Sequence, residues 1–417
     1  MKLRCLGGFR EVGRNAVLLE TGRQHILMDC GIKVEDGETP LMPKKVDSVL
    51  LGHAHLDHTG TLPMLYKQGK PTIYATAATF DTTHLLLKDS MKVAKIKGRP
   101  ELFTLNDITK MMEHESRVTY GQKISIKDAK VEVYDAGHVP GSCMFLIEVN
   151  GKRIVYTSDF NTLTTRLLNG AKANLKDIDV LIMESTYSSR NHSKRLDVEK
   201  ALYKTVIETI ENNGVALIPA FAVGRSAEIL SVLHSFKPKF PIYLDGMARD
   251  ATEIILKYPE LLRKASDVEK AVDYTIPVYT EDERRGILNE PCAIVTTGGC
   301  LDGGPVTYYI KRLWDKINCS LLATGYQIPG SAGRYLFDTG HYVTEDGIDL
   351  KIKMKKELFD FSAHCGRDQL FDFVNKVRPK KVIAIHGDHC ERFATEVRSR
   401  FGIDAIAPKM GDVLEIK

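Results

Sequence analysis

The sequence predicts an α/β protein in which a parallel-sheet domain is inserted into a domain of short strands. Three observations carry this expectation. Short apolar runs separated by Gly and Asp turns fill about the first 190 residues and return after about residue 355. Between those limits strand-like and helix-like segments alternate, the pattern of a parallel sheet with crossover helices. Several runs of the outer segments end in a histidine or a carboxylate, and side chains at strand ends are where sites are commonly assembled.

Taken in order, "AVLLE", "HILMDCG", "VDSVLLGHA", "PTIYAT", "KVEVYDAGH", "CMFLIEV", "RIVYTSD" and "IDVLIMEST" read as strands. Asp29, His53, His138, Asp159 and Glu184 stand at or just past the ends of five of them. In "LDVEKALYKTVIETIENNG" the apolar residues Val198, Leu202, Val206 and Ile210 recur every four positions, so a helix is expected, stopped by Gly214. "VALIPA" followed by "GRSAEILSVLHSF" is a strand and a helix, and the pattern repeats through "PIYLDG", "CAIVTTGG" and "CSLLATGY". "ELFDFSAHC", a helix over "RDQLFDFVNKV" and "KKVIAIHGDHC" resume the first style. The expected organisation is a first domain over 1–189, an insertion over 190–355 and a closing part of the first domain over 356–417.

Composition narrows the class. Hydrophobic residues make up 43% and charged residues 27%, a soluble globular balance, and the net charge of +4 is too small to indicate nucleic acid by itself. No apolar run nears the roughly 18 residues that span a bilayer, and the N-terminus lacks the apolar core of a signal peptide. A cytoplasmic chain with no membrane partner, folding from residue 2, is expected. The eight cysteines form no C-x-x-C pair, so reduced and mostly buried thiols are expected rather than a zinc ribbon or a disulfide framework.

The chemistry concentrates in "VLLGHAHLDHTGTLP". Three of the 13 histidines, with an aspartate, fall at His53, His55, Asp57 and His58. Packing does not readily explain such crowding after an apolar strand, whereas imidazole and carboxylate are suitable ligands for Zn²⁺ and similar ions. His138, Asp159 and His386 each follow a later strand. Any one of them could be a satisfied core group; together with the first four they could hold two ions, and two-ion sites hydrolyse phosphodiester and amide bonds.

These motifs resemble the metallo-β-lactamase fold: H-x-H-x-D-H, Asp29 after an early strand, His138 and Asp159. "ESTY" with Glu184, "FSAH" with His364 and "IHGDH" with His386 are similar to the extra motifs of its nucleic-acid-cutting β-CASP branch. "PAFAVGRSAEIL", "TTGGCLDGGP" and "GYQIPGSAGR" resemble that branch's inserted domain, so the likeness covers the whole chain. The chain resembles the short archaeal homologues of the nuclease subunit of the cleavage and polyadenylation specificity factor, those lacking KH domains, and is also RNase J-like.

The resemblance implies an αββα sandwich with an inserted Rossmann-like β-CASP domain and two Zn²⁺ ions, Mn²⁺ being the alternative. It assigns His53, His55, His138 and Asp159 to one ion, and Asp57, His58, His386 and the shared Asp159 to the other. Asp29 would support the ligand loop. His364, oriented by Glu184, would protonate the leaving oxygen or steady the scissile phosphate, and Asp57 is placed with them among the catalytic groups. Gly224, Arg225, Gly330, Ser331 and Ser362 are the expected RNA phosphate contacts. His386, where the DNA-cutting branch usually has an aliphatic residue, points to RNA. The implied activity is hydrolysis of single-stranded RNA, endonucleolytic or also 5′→3′ exonucleolytic, by a homodimer or within an RNA-processing complex. The competing expectations are a small-molecule hydrolase of the same fold and a non-catalytic subunit.

Overall fold

The computed structural model describes residues 1–416, which divide into two units. One comprises residues 1–164, 169–191 and 363–416; the other comprises 165–168 and 192–362. The insertion was expected to end at 355. Instead Lys355–Leu358 forms a strand in the insertion's own sheet, and the chain returns at Ala363. The segment "ELFDFSAHC", read as resuming the first domain, therefore belongs to the insertion up to Ser362; the polar edge strand "KKEL" carries no apolar alternation to mark it.

The strands of the first unit begin with β1 (Lys2–Gly7), β2 (Ala16–Glu20), β3 (His25–Met28), β4 (Ser48–Leu50), β5 (Thr72–Ala75) and β6 (Glu115–Arg117). They continue with β7 (Lys123–Ile126), β8 (Ala129–Asp135), β9 (Cys143–Val149), β10 (Lys152–Tyr156) and β11 (Val180–Glu184). The insertion supplies β12 (Val215–Ala220), β13 (Ile242–Asp245), β14 (Ile276–Val278), β15 (Cys292–Thr297), β16 (Ser320–Ala323), β17 (His341–Val343), β18 (Asp349–Lys351) and β19 (Lys355–Leu358). Then β20 (Lys381–Ile385), β21 (Asp404–Ile406) and β22 (Val413–Glu415) complete the first unit.

Two seven-stranded sheets face each other in that unit, ordered β22-β1-β2-β3-β4-β5-β6 and β21-β20-β11-β10-β9-β8-β7. Alternation along β9 explains how both faces of its sheet are buried. Cys143, Phe145, Ile147 and Val149 join the core between the sheets, whereas Met144 and Leu146 join the core beneath the helices Arg367–Val377 and Cys390–Phe401. Phe80 and Leu87 of the helix Ala77–Ile96 cover the outer face of the other sheet. The layers are therefore αββα.

The insertion is a parallel six-stranded sheet, ordered β14-β13-β15-β12-β16-β19, with helices on both faces. Val198, Leu202 and Val206 of the helix Arg195–Glu211 pack on one face, as the four-residue spacing predicts. Gly214 does not stop that helix by its own backbone freedom; Asn212 caps it and Asn213 takes the left-handed turn, with φ of 55°. Glycine at 214 is demanded by proximity instead, since a Cβ there would lie 1.8 Å from the Asn318 carbonyl oxygen. All eight cysteines are free, and seven are buried. Among the described residues no helix is long and apolar enough to cross a membrane.

Candidate metal centre

The seven expected ligand residues all lie in the first unit, on loops that follow β4, β10 and β20 and on the β8–β9 turn. After β4 the chain runs through Gly52 to His53 and enters the short helix Leu56–Thr59. This loop can lie so low because glycines floor it. A Cβ at Gly31 would sit 1.6 Å from the Asp57 carbonyl oxygen, and one at Gly52 would sit 2.1 Å from Ser158 Oγ.

Two groups of side chains result. His53, His55 and His138 bring one nitrogen each within 4.8 Å of the others; Asp57, His58, Asp159 and His386 do the same with one ligand atom each. His53 Nε2 and His138 Nε2 lie 3.0 and 3.2 Å from His55 Nδ1. Asp159 stands between the groups, its Oδ2 3.3 Å from His58 Nε2 and 3.7 Å from His53 Nε2, and its Oδ1 3.6 Å from His386 Nε2. His386 Nε2 is 3.5 Å from Asp57 Oδ2. All seven expected ligand residues thus come together.

Buried carboxylates and carbonyls fix the rings. His138 Nδ1 is 2.9 Å from the Ala363 carbonyl, which can only accept, so the proton is on Nδ1 and the Nε2 lone pair faces the centre. His58 Nδ1 is 2.6 Å from Asp29 Oδ2, which leaves its Nε2 facing Asp159. Asp29 is fully buried and adopts a φ of 58°. It also accepts from the Gly52 N–H at 2.7 Å, the Tyr156 hydroxyl at 2.5 Å and the Ser158 hydroxyl at 3.1 Å. His386 has a φ of 48° and donates its N–H to the Gly8 carbonyl at 2.6 Å, so the β1–β2 loop sets where its ring stands.

Electrostatics separates the two groups. Burial pushes His53 and His138 well below the usual imidazole range and His55 down to about 4, so these three rings are neutral. Burial opposes a charge on His58 too, but Asp159, Asp57 and Asp29 outweigh it and hold His58 well above that range. Asp159 is kept well below the ordinary carboxylate range: burial works against its charge, and His386, His58 and His364 overcome it. This is a site that calls for positive charge. His58 Nε2 and Asp159 Oδ1 are moreover buried with no hydrogen-bond partner, which buried polar atoms rarely are. Three neutral imidazoles on one side, and carboxylates with imidazoles on the other, fit divalent cations.

His364 lies beside this group. Its Nδ1 is 3.0 and 3.1 Å from the two oxygens of Glu184, and its Nε2 is 4.0 Å from Asp159 Oδ2. Burial disfavours its charge, but Glu184 and Asp159 prevail and push its pKa up to about 9. Glu184, itself buried, is held by the Phe160 N–H at 2.9 Å and the Thr186 hydroxyl at 2.6 Å.

The expected phosphate contacts belong to the second unit. Gly224 and Gly330 have φ of 71° and 85°, left-handed positions that suit glycine. Arg225 Nη1 donates to the Thr324 carbonyl at 3.3 Å. The Ser331 hydroxyl caps the helix Ala332–Thr339 by accepting from the Arg334 N–H, and the Ser362 N–H donates to Asp360 Oδ1 at 3.2 Å. Sequence reasoning missed Gly31, Tyr156, Ser158 and the Ala363 carbonyl. Ser158 and Ala363 carried a signal, as neighbours of Asp159 and His364; the others act through approach distances that no motif displays.

Comparison with known proteins accords with this geometry. Residues 18–186 match the metallo-beta-lactamase superfamily domain, 227–336 the Beta-Casp domain and 349–408 the Zn-dependent metallo-hydrolase RNA specificity domain. The chain is 37% identical to the probable RNase MJ4 of Methanocaldococcus jannaschii, over the full length of both. It is 36% identical to RNase aCSPSF2 of Saccharolobus solfataricus, over 99% of this chain and 85% of that protein. With the transcription termination factor FttA of Pyrococcus abyssi it shares 33% identity over its whole length and 72% of the relative. A crystal structure of a protein of unknown function from Enterococcus faecalis shares the fold, with a TM-score of 0.64 at 13% identity over 99% of each chain. With relatives matched from end to end and all three domains in their order, the chain belongs to the β-CASP family of metallo-β-lactamase-fold metal-dependent hydrolases.

Proposed function

We propose that this protein is a two-zinc ribonuclease that hydrolyses phosphodiester bonds of single-stranded RNA in RNA processing or decay. The observation that carries the reading is Asp159, set between two groups of ligand-capable side chains, with His364 and its Glu184 partner alongside. Relatives of nearly the same length that are named as RNases supply the substrate class.

His53, His55 and His138 would hold one ion, Asp57, His58 and His386 the other, and Asp159 both. Bound there, two cations supply Lewis acidity at the scissile phosphate and make water a competent nucleophile near neutral pH. The protein's own groups do the rest. Once the His58 Nε2 proton is displaced, Asp29 holds the remaining one on Nδ1, and the Ala363 carbonyl keeps that of His138 on Nδ1, so each ring would offer Nε2. Glu184 accepts from His364 Nδ1 and stabilises the imidazolium, which leaves a proton on Nε2 for the departing 3′ oxygen. The products are a 5′ phosphate and a 3′ hydroxyl.

A second reading has its own observation: His138, Asp159 and His364 also bring ligand atoms together, which would make His364 a ligand. Metal content of His364→Ala separates the two, being unchanged for an acid and reduced for a ligand. Assembly as a homodimer or within a processing complex belongs to the same proposal and is read by sedimentation.

The test is incubation of the zinc-loaded protein with a circular single-stranded RNA and with its linear 5′-monophosphate form, beside a His58→Ala control. Cutting of the circle supports an endonuclease. Shrinkage of the linear form alone, with mononucleotides released, supports a 5′→3′ exonuclease. No cleavage of either overturns the ribonuclease reading.

A further inference from the structure

Phe221 is an aromatic ring with a place built for it and no role in the insertion's core. It follows β12, which lies between β15 and β16, so it stands at the carboxyl ends of the three central parallel strands. Ligands of such sheets bind outside those ends. The residues two past β15 and two past β16, Gly299 and Gly325, are both glycine, and the ring rests between them. A Cβ at Gly299 would lie 3.2 Å from Phe221 Cδ1 and Cε1, and one at Gly325 would lie 2.6 Å from Cε2. Any side chain at 325 would dislodge the ring. Despite these supports Phe221 stays 37% exposed, and Tyr326, next to Gly325, is 45% exposed.

The bed is rigid. Gln327 Nε2 donates to the carbonyls of Gly299 and Gly325 at 2.9 and 3.1 Å and ties the two loops together. The Ser226 hydroxyl donates to the Phe221 carbonyl at 2.9 Å. Its setting is cationic on one side: Arg225 reaches the Thr324 carbonyl, one residue before Gly325. The neighbouring helix end offers less to a phosphate. Ser331 caps Ala332–Thr339, and Asp302 Oδ1 already accepts from the Ala332 N–H at 2.7 Å. A pre-positioned ring beside a guanidinium matches one unpaired base and its phosphate.

We propose that Phe221, seated on Gly299 and Gly325, is a stacking platform for a nucleobase of single-stranded RNA, with Arg225 contacting the adjacent phosphate. The platform rests on the ribonuclease reading and names a subsite for it. Stacking on an aromatic face tolerates any base, so the platform serves binding without sequence preference.

The test is fluorescence anisotropy of a labelled oligouridine with chelator present, so that binding is measured without cleavage. The expected result is that Phe221→Ala weakens binding roughly 5- to 100-fold. Phe221→Trp should keep the affinity. Phe221→Leu, which still fills the glycine bed, should lose it, so that a packing defect is told apart from a lost stack. An abasic sugar-phosphate chain of equal length should bind wild type and Phe221→Ala alike. If wild type binds oligouridine and Phe221→Ala and Phe221→Leu bind it equally well, the platform is wrong and the ribonuclease reading stands. If the abasic chain shows the same loss, stacking is also refuted. If wild-type protein neither binds nor cleaves single-stranded RNA, both fall together.

Discussion

Both carboxylate oxygens of Glu184 lie within 3.1 Å of His364 Nδ1, while His364 Nε2 points to within 4.0 Å of Asp159. One ring therefore links a buried carboxylate outside the ligand group to the carboxylate at its middle. Glu184→Gln removes the charge and keeps the shape. The His364 pKa is raised in the folded protein, so its protonated form persists below that pKa and is lost as pH rises through it. Without the Glu184 charge the pKa falls. The alkaline limb of the kcat profile on RNA should then move to lower pH, with kcat reduced about 10²-fold and KM little changed. An unmoved limb would remove His364 from the proton-transfer role.

Asp29 gathers four donors at one buried carboxylate: His58 Nδ1, the Gly52 N–H and the hydroxyls of Tyr156 and Ser158. Asp29→Ala frees the His58 ring and leaves buried donors unpaired. Zinc affinity, measured by competition with a chromogenic chelator, should drop about 10- to 100-fold. Thermal unfolding of the metal-free protein should fall as well, since each orphaned group costs roughly 1–3 kcal/mol. Asp29→Asn, which retains some acceptors, should lie between.

Gly31 makes a steric prediction that no ligand substitution makes. A methyl group at this position overlaps the Asp57 carbonyl oxygen, 1.6 Å from the Cβ position. That oxygen also accepts the Asn15 N–H at 2.8 Å, so the loop is held from another side. Gly31→Ala should yield protein with less than the wild-type metal content by elemental analysis, although every ligand remains. Full zinc occupancy in that variant would show that the loop shifts without disturbing Asp57 and His58.

Asp47 supplies acid sensitivity far from the centre. Its carboxylate accepts from Lys127 Nζ at 2.7 Å and the His25 N–H at 2.9 Å. Burial alone would raise its pKa; these donors overcome it and lower the value from 3.8 to about 2. A depressed carboxylate stabilises the fold above its unfolded pKa, and that contribution is lost as pH falls from about 4 toward about 2. Because Lys127 is half exposed, the share is on the order of 1–2 kcal/mol. Urea unfolding of Asp47→Asn should show that deficit at pH 7 and converge with wild type near pH 2.

The cluster of ligand-capable residues was legible in residue type and spacing, because strand periodicity places the residue after a run at the sheet's end, whereas His364 and Glu184 stood out only through the family resemblance. His53, His55, Asp57 and His58 are close in sequence and remain close in space. The alternation in β9 and the four-residue spacing in the helix Arg195–Glu211 were equally local, and so were their folds. What local pattern cannot contain is approach between distant segments. That Gly31 must clear Asp57, that Asp29 must meet Tyr156, that the Ala363 carbonyl must orient His138 and that Gly325 must seat Phe221 are contacts across 26 to 225 residues. The edge strand at Lys355–Leu358 has the same cause: its hydrogen bonds run to Ser320–Ala323, and pairing depends on a neighbour's position rather than on its own composition. The sequence alone determined which side chains could do chemistry. Tertiary structure decided which atoms of those side chains face one another, because tautomer, ring orientation and van der Waals clearance depend on partners brought together only when the chain closes.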